Sequence, residues 1–269
     1  MSAPPVDGGA AADPAPPRVD VARAGVRVVA TVVHALHGLA IVLWAFPRLD
    51  TAGRQQRIGW WAGTLLHKLG LEHEVRGQLH GGAVLIAANH LSWIDVLAIH
   101  AVCPRARFVA KAEVRRWPLI NRLVASAGTL YLEREKPRDA VRVVHGVAAA
   151  LQAGDTVAVF PEGTTGDGCQ LLPFHANLLQ AAIASATPVQ PVALRYTDAR
   201  HATVSPSILW LGDTTLIQSL WQIARADRLR VELQVLPALA GADAGRRALA
   251  QRLRDRIGAA LADPAAANP

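Results

Sequence analysis

The sequence predicts an α/β fold: a mixed, largely parallel sheet flanked by helices, preceded by N-terminal membrane-associated helices. Three observations predict it. Past Gly70, short β-rich runs alternate with helix-length ones, the pattern of strands joined by covering helices. Two of the β-rich runs, VLIAA at 84–88 and TVAVF at 156–160, are continuously apolar, as strands buried on both faces are. Upstream, residues 28–46 hold no Asp, Glu, Lys or Arg. The length of 269 residues fits one domain with an appendage. A chain that is 51% hydrophobic and 18% charged is not disordered. The net charge of +7, beside a mean hydropathy of +0.21, points to an anionic membrane surface or acidic partners. Nucleic acid is disfavoured, because the chain has no zinc-finger spacing and no aromatic-studded basic motif. Cys103 and Cys169 form no CxxC, so neither a disulfide framework nor a structural zinc is expected.

Taken in order, residues 1–17 carry five Pro among Ala and Gly and read as a disordered tail. Residues 18–70 read as a membrane-associated helical segment. As a helix, 28–46 is roughly 29 Å long, about one hydrocarbon thickness. Arg23 and Arg27 precede it and Arg48, Arg54 and Arg57 follow, so flanking charge sets no orientation. His34, His37 and Gly38 weaken a full span, and spanning, dipping, interfacial and core-helix readings stay open. Residues 55–70 form a second amphipathic helix with Trp60, Trp61, Leu65, Leu66 and Leu69 as its apolar positions. Its tryptophans suit a membrane interface or packing on the domain equally. Residues 71–240 form the α/β domain. Strands are expected at 84–88, 107–110, 129–132, 156–160, 189–196 and 230–236. Helices are expected at 92–102, 119–127, 138–153 and 175–186. Residues 241–269 hold a last helix, 244–261, stopped before Pro264, and a tail. No GxGxxG or Walker A motif appears, which disfavours a nucleotide fold.

Residues 89–95 read Asn-His-Leu-Ser-Trp-Ile-Asp, directly after a buried strand. That puts His90 at the C-terminal edge of a strand, where open α/β sheets place their ligands. Asp95 falls in the first turns of the next helix, and helical side chains lean back toward the N-terminus, so its carboxylate can reach His90. Such a contact fixes the imidazole tautomer and stabilises its protonated form. The plainer reading is a helix-start charge and a loop histidine. Residues 160–165, Phe-Pro-Glu-Gly-Thr-Thr, also follow a buried strand. Pro161 removes a donor, Gly163 allows close backbone approach and Glu162 adds a charge. A polar turn before a helix is the plainer reading there.

The pair of motifs, NHxxxxD and then FPEGT, resembles the glycerolipid acyltransferase family, whose best-known members are 1-acylglycerol-3-phosphate acyltransferases. Lys111, Glu113, Pro118, Gly128 and the run 131–134 (Tyr-Leu-Glu-Arg) match that family's second block, and Val189 to Leu194 its fourth. The resemblance implies an acyltransferase catalytic domain over 71–240. It makes His90 the general base on an acceptor hydroxyl and Asp95 the group that orients and charges it. The acyl donor is a thioester, acyl-ACP or acyl-CoA. No acyl-enzyme, metal or cofactor is implied. Arg134 matches the acceptor-binding Arg, whose guanidinium suits a phosphate. Glu162, Gly163 and Thr164 carry over as acceptor-site residues. Lys111 belongs to a cluster with Arg105, Arg107, Arg115 and Arg116 that could hold headgroups, an acidic carrier protein or only water. The expected acceptor is 1-acyl-sn-glycerol-3-phosphate and the expected place the cytoplasmic face of the inner membrane.

One departure bears on the acceptor. Many members continue with a basic residue, FPEGTR, where this chain has Thr165, then Asp167. A phosphate pocket loses one positive charge, and lyso-ornithine lipid becomes the alternative acceptor. Two other classes are weaker. A non-catalytic membrane-binding protein has no use for His90, Asp95 and Glu162 together. A serine hydrolase through Ser92 lacks any GxSxG elbow, and zinc held by His80, His90, Asp95 and His100 lacks HExxH-like spacing.

Overall fold

The computed structural model describes residues 19–132, 137–241 and 245–263. The tail predicted at 1–17 lies outside them. The chain opens on a helical hairpin. α1 (Val21–Ala40) starts where the Asp20 side chain accepts from Arg23 N (2.7 Å), an N-cap. It runs on through a π turn (Ile41–Ala45) and a 3-10 turn (Phe46–Arg48). α2 (Thr51–Leu69) is capped by Asp50 and ends at Gly70, whose φ of 83° is the left-handed stop that glycine supplies most cheaply. α1 and α2 are stitched reciprocally. His34 Nε2 donates to Trp61 O and Trp61 Nε1 donates to His34 O, each at 3.0 Å, with the two rings stacked. Trp61 therefore packs inward, while Trp60 stays exposed. The segment Val21–Arg48 is long and apolar enough to cross a membrane, and only 17% of its most apolar window is buried. Val26, Val29, Val33, Leu36 and Trp44 face outward. The sequence-predicted stretch thus begins seven residues late, because Arg23 and Arg27 interrupt its hydropathy and not its helix.

The domain follows in chain order: β1 (Leu71–Arg76), β2 (Val84–Ala88), α3 (Ile94–Val102), β3 (Ala106–Lys111), α4 (Pro118–Ser126), β4 (Leu130–Leu132), α5 (Pro137–Gln152), β5 (Thr156–Val159), α6 (Leu179–Ala184), β6 (Val189–Thr197), α7 (Leu216–Arg225), β7 (Leu229–Val235) and α8 (Arg246–Ala262). The seven strands form one sheet, ordered β1-β7-β6-β2-β5-β3-β4. β6, β2, β5, β3 and β4 are mutually parallel, β7 is antiparallel to β6, and β1 is parallel to β7. The mixed, largely parallel sheet is as expected. Five strands therefore release their C-terminal ends at one edge, where the loops carrying His90 and Glu162 begin.

Alternation along the central strands feeds two cores. Ile86, Leu194 and Tyr196 join Leu65, Leu66, Leu69 and Ile94 on the α2/α3 side. Leu85, Ala87, Val157 and Val159 join Val147, Leu179, Leu249 and Leu253 on the α5/α6/α8 side. Two elements escaped the sequence reading, β1 and α7. β1 is an edge strand with one fully buried residue, Leu71, so its charged LEHEVR pattern carries little apolar signal. The helix expected at 175–186 is shorter, because residues ahead of it are tied to the site: His175 N donates to Pro161 O (2.7 Å).

His100, in the last turn of α3, gives the fold a titration signature. It lies edge-on to Phe108 (4.8 Å between centroids), and its Nδ1 meets no hydrogen-bonding partner among the described residues. Burial lowers its pKa from 6.5 to about 4. The folded state thus resists a proton that the unfolded chain accepts. The stability this group contributes is complete above pH 6.5 and is lost as pH falls toward 4, about 3 kcal/mol in all. Urea unfolding between pH 7 and 4 should show that slope, and H100L should flatten it.

Candidate active site

The site is built where β2 ends. Asn89, buried, continues the strand ladder with its side chain: Nδ2 donates to Leu194 O (2.9 Å) and Oδ1 accepts from Leu194 N (2.7 Å). The chain then turns outward at His90, whose backbone is held on both sides. His90 N donates to Glu162 Oε1 (2.7 Å), and Gly166 N donates to His90 O (2.8 Å). Its ring lies flat on Phe160, with centroids 4.0 Å apart and planes 10° apart. The NHxxxxD and FPEGT motifs therefore meet through backbone, side chain and ring stacking at once.

His90 Nδ1 lies 2.7 Å from Asp95 Oδ2. Asp95 is fully buried, and its carboxylate is satisfied from four directions. Oδ2 takes His90 Nδ1–H, Leu91 N (2.7 Å) and Ser92 N (2.9 Å), and Oδ1 takes the Tyr196 hydroxyl (2.6 Å). A carboxylate accepts, so Nδ1 carries the hydrogen and Nε2 holds the lone pair. The His90 side chain is 20% exposed, so the ring has one edge in the core and one toward solvent. Such a pair can draw a proton from a hydroxyl placed against Nε2 and hold the resulting imidazolium beside a fixed negative charge. Tyr196 remains a donor, since burial and the Asp95 charge push its phenol well above the ordinary range.

Glu162 is turned inward, 4% exposed. One oxygen takes His90 N and the other takes Leu172 N (3.0 Å). Burial nonetheless pushes its carboxyl up. Gly163 takes a φ of 73° and donates its N–H to Phe160 O (3.0 Å), a turn that a side chain would strain. Thr164 is exposed on the same loop. Thr165 turns away from it: its hydroxyl donates to Trp210 O (2.5 Å), while Trp210 N donates to Leu91 O (3.1 Å).

The structure thus joins His90, Asp95 and Glu162 and places Gly163 and Thr164 beside them. Lys111 is the last residue of β3, at the same sheet edge, and its side chain lies outside what is described. Arg134 lies outside the described residues; β4, two residues before it, ends level with Lys111. Three of the other basic residues in that cluster have partners of their own. Arg105 is spent on the carbonyls of His80, Gly81 and Gly82, Arg107 on Gly128 O and Asp155, and Arg115 lies over the Tyr131 ring (4.4 Å). Ser92 Oγ is buried and meets no partner among the described residues, so no serine triad forms. Sequence reasoning missed Tyr196, because a contact between positions 101 residues apart leaves no local signal.

Residues 67–195 match the family model described as Acyltransferase. The chain is 38% identical over 199 residues to a 1-acyl-sn-glycerol-3-phosphate acyltransferase of Neisseria gonorrhoeae, covering 73% of this chain and 76% of that one. It is 33% identical over 235 residues to a lyso-ornithine lipid O-acyltransferase of Pseudomonas aeruginosa, covering 85% and 90%. The crystal structure of the 1-acyl-sn-glycerophosphate acyltransferase PlsC from Thermotoga maritima shares the fold, with a TM-score of 0.64 at 20% identity over 87% of this chain and 96% of that one.

Proposed function

The chain belongs to the acyltransferase family, and from that premise we propose that it moves a fatty acyl group from an acyl thioester to the hydroxyl of 1-acyl-sn-glycerol-3-phosphate, giving phosphatidic acid. The coarser statement, a lipid O-acyltransferase, rests on the family itself. The observation that carries the mechanism is the contact between His90 Nδ1 and the buried Asp95 carboxylate. His90 Nε2 takes the acceptor's proton as its oxygen attacks the thioester carbonyl. Collapse of the tetrahedral intermediate breaks the C–S bond, and the departing thiolate recovers the proton from His90. An alcohol needs that base, whereas a thioester is already activated. Arg134 and Lys111 supply the acceptor phosphate with positive charge, and the loop of Glu162, Gly163 and Thr164 shapes the acceptor site. The donor is acyl-ACP or acyl-CoA. The outward apolar face of α1 seats the enzyme on the cytoplasmic leaflet of the inner membrane, where donor and lipid meet.

A second acceptor, lyso-ornithine lipid, is favoured by Thr165. Where the resemblance has an Arg, this hydroxyl is committed to Trp210 O and offers nothing to a phosphate. The Pseudomonas aeruginosa relative with that activity also matches a larger share of this chain, 85% against 73%. Purified enzyme in detergent, given labelled acyl donor and each acceptor separately, decides between them. Labelled phosphatidic acid as the main product, lost in R134A, is expected. Labelled ornithine lipid alone would transfer the assignment to the second acceptor.

A further inference from the structure

We propose that Tyr196 is a positioning residue for acyl transfer, its hydroxyl fixing the Asp95 carboxylate so that His90 presents Nε2 to the acceptor; this rests on the mechanism above. Tyr196 and Asp95 are both fully buried, and the 2.6 Å bond between them is the contact that Oδ1 makes, while the other three donors crowd onto Oδ2. Without the phenol, one oxygen of a buried carboxylate has no donor among the described residues, and rotation about the Cβ–Cγ bond loses its second anchor. Charge-assisted bonds are the strong ones, and low-dielectric surroundings raise what each is worth.

The strand that delivers Tyr196 is itself fastened on both faces. Its neighbour Arg195 points to the opposite side of the sheet and donates to the carbonyls of Ala260 (2.8 Å) and Leu261 (2.9 Å) at the end of α8. Leu194 is tied to Asn89, one residue before His90. Ser205 N donates to Tyr196 O (2.8 Å), which anchors the backbone at the tyrosine. The hydroxyl therefore sits on a rigid element, as a group that must hold another in register should.

Y196F removes one oxygen and keeps the ring, so packing is preserved. The expected result is a kcat lowered about 10–100-fold with KM for donor and acceptor within about twofold, the size of one lost charge-assisted bond. A double-mutant cycle separates positioning from packing. In a D95N background the hydroxyl has no carboxylate to hold, and Y196F should change the residual rate by less than about twofold. The His90 Nδ1–H resonance in the proton NMR spectrum should also move or broaden in Y196F. Wild-type kcat in Y196F overturns the proposal, as do equal losses in both backgrounds or an unmoved resonance. A Y196F protein without a cooperative melt overturns it too, since the hydroxyl would then serve the fold. Full activity in H90A is a different failure, which sinks the mechanism underneath.

Discussion

H90A should lower acyl transfer by about 10²–10⁴-fold, the span that a positioned general base contributes, with the thermal melt nearly unchanged. The melt is expected to hold because what fastens this segment is main chain. His90 N to Glu162 and Gly166 N to His90 O both survive the substitution. Asp95 keeps Leu91 N, Ser92 N and the Tyr196 hydroxyl as donors, so no buried charge is orphaned. The loss should fall on kcat, since the imidazole meets the acceptor proton most strongly in the transition state. Steady-state rates with labelled donor, alongside calorimetric melts, check both halves. Retained activity would mean that the base lies elsewhere and that the His90–Asp95 contact is structural.

E162A is expected to act in the opposite order, on stability first. Its two oxygens hold the N–H groups of His90 and Leu172, which are bonded to no other acceptor among the described residues. Stranding two donors at a largely buried site should cost about 2–4 kcal/mol in urea unfolding. Activity should fall with it, because the tether between the two motifs is what fixes where His90 leaves β2. E162Q keeps one acceptor oxygen and should fall between. A wild-type unfolding midpoint in E162A would show that the carboxylate serves the acceptor and not the backbone.

The sequence made the sheet legible where strands are buried on both faces. VLIAA and TVAVF became β2 and β5, neighbours in parallel. It made the first pair of the site legible as well, because five residues from strand end to helix start leave Asp95 few places to point. The rest depended on distance along the chain. Among the described residues β1 pairs only with β7, and its charges mask the alternation. α7 carried a signal that went unread: Thr215 and Gln218 form a capping box, visible as T-x-x-Q before an apolar run. Tyr196 could be placed in a strand but not against Asp95, since alternation gives the face and not the partner. Glu162 could be read as a charge at a strand end, whereas its inward turn depends on Leu172 returning past it.

One feature of the topology governs how this protein emerges from the ribosome. The first strand takes its partner from the last, with Glu72 and Arg230 158 positions apart, and α1 leans on α7, where Arg27 donates to the carbonyls of Ala224 and Ala226. At translation speeds of about 5–20 residues per second, the nascent hairpin waits on the order of 10 s or more for the elements it docks on. Through that interval its outward valines and Trp44 have no folded sheet to lie beside. If α1 seats the enzyme on a membrane as proposed, its capture can precede completion of the sheet, and the edge carrying His90 is then assembled on a chain already held there.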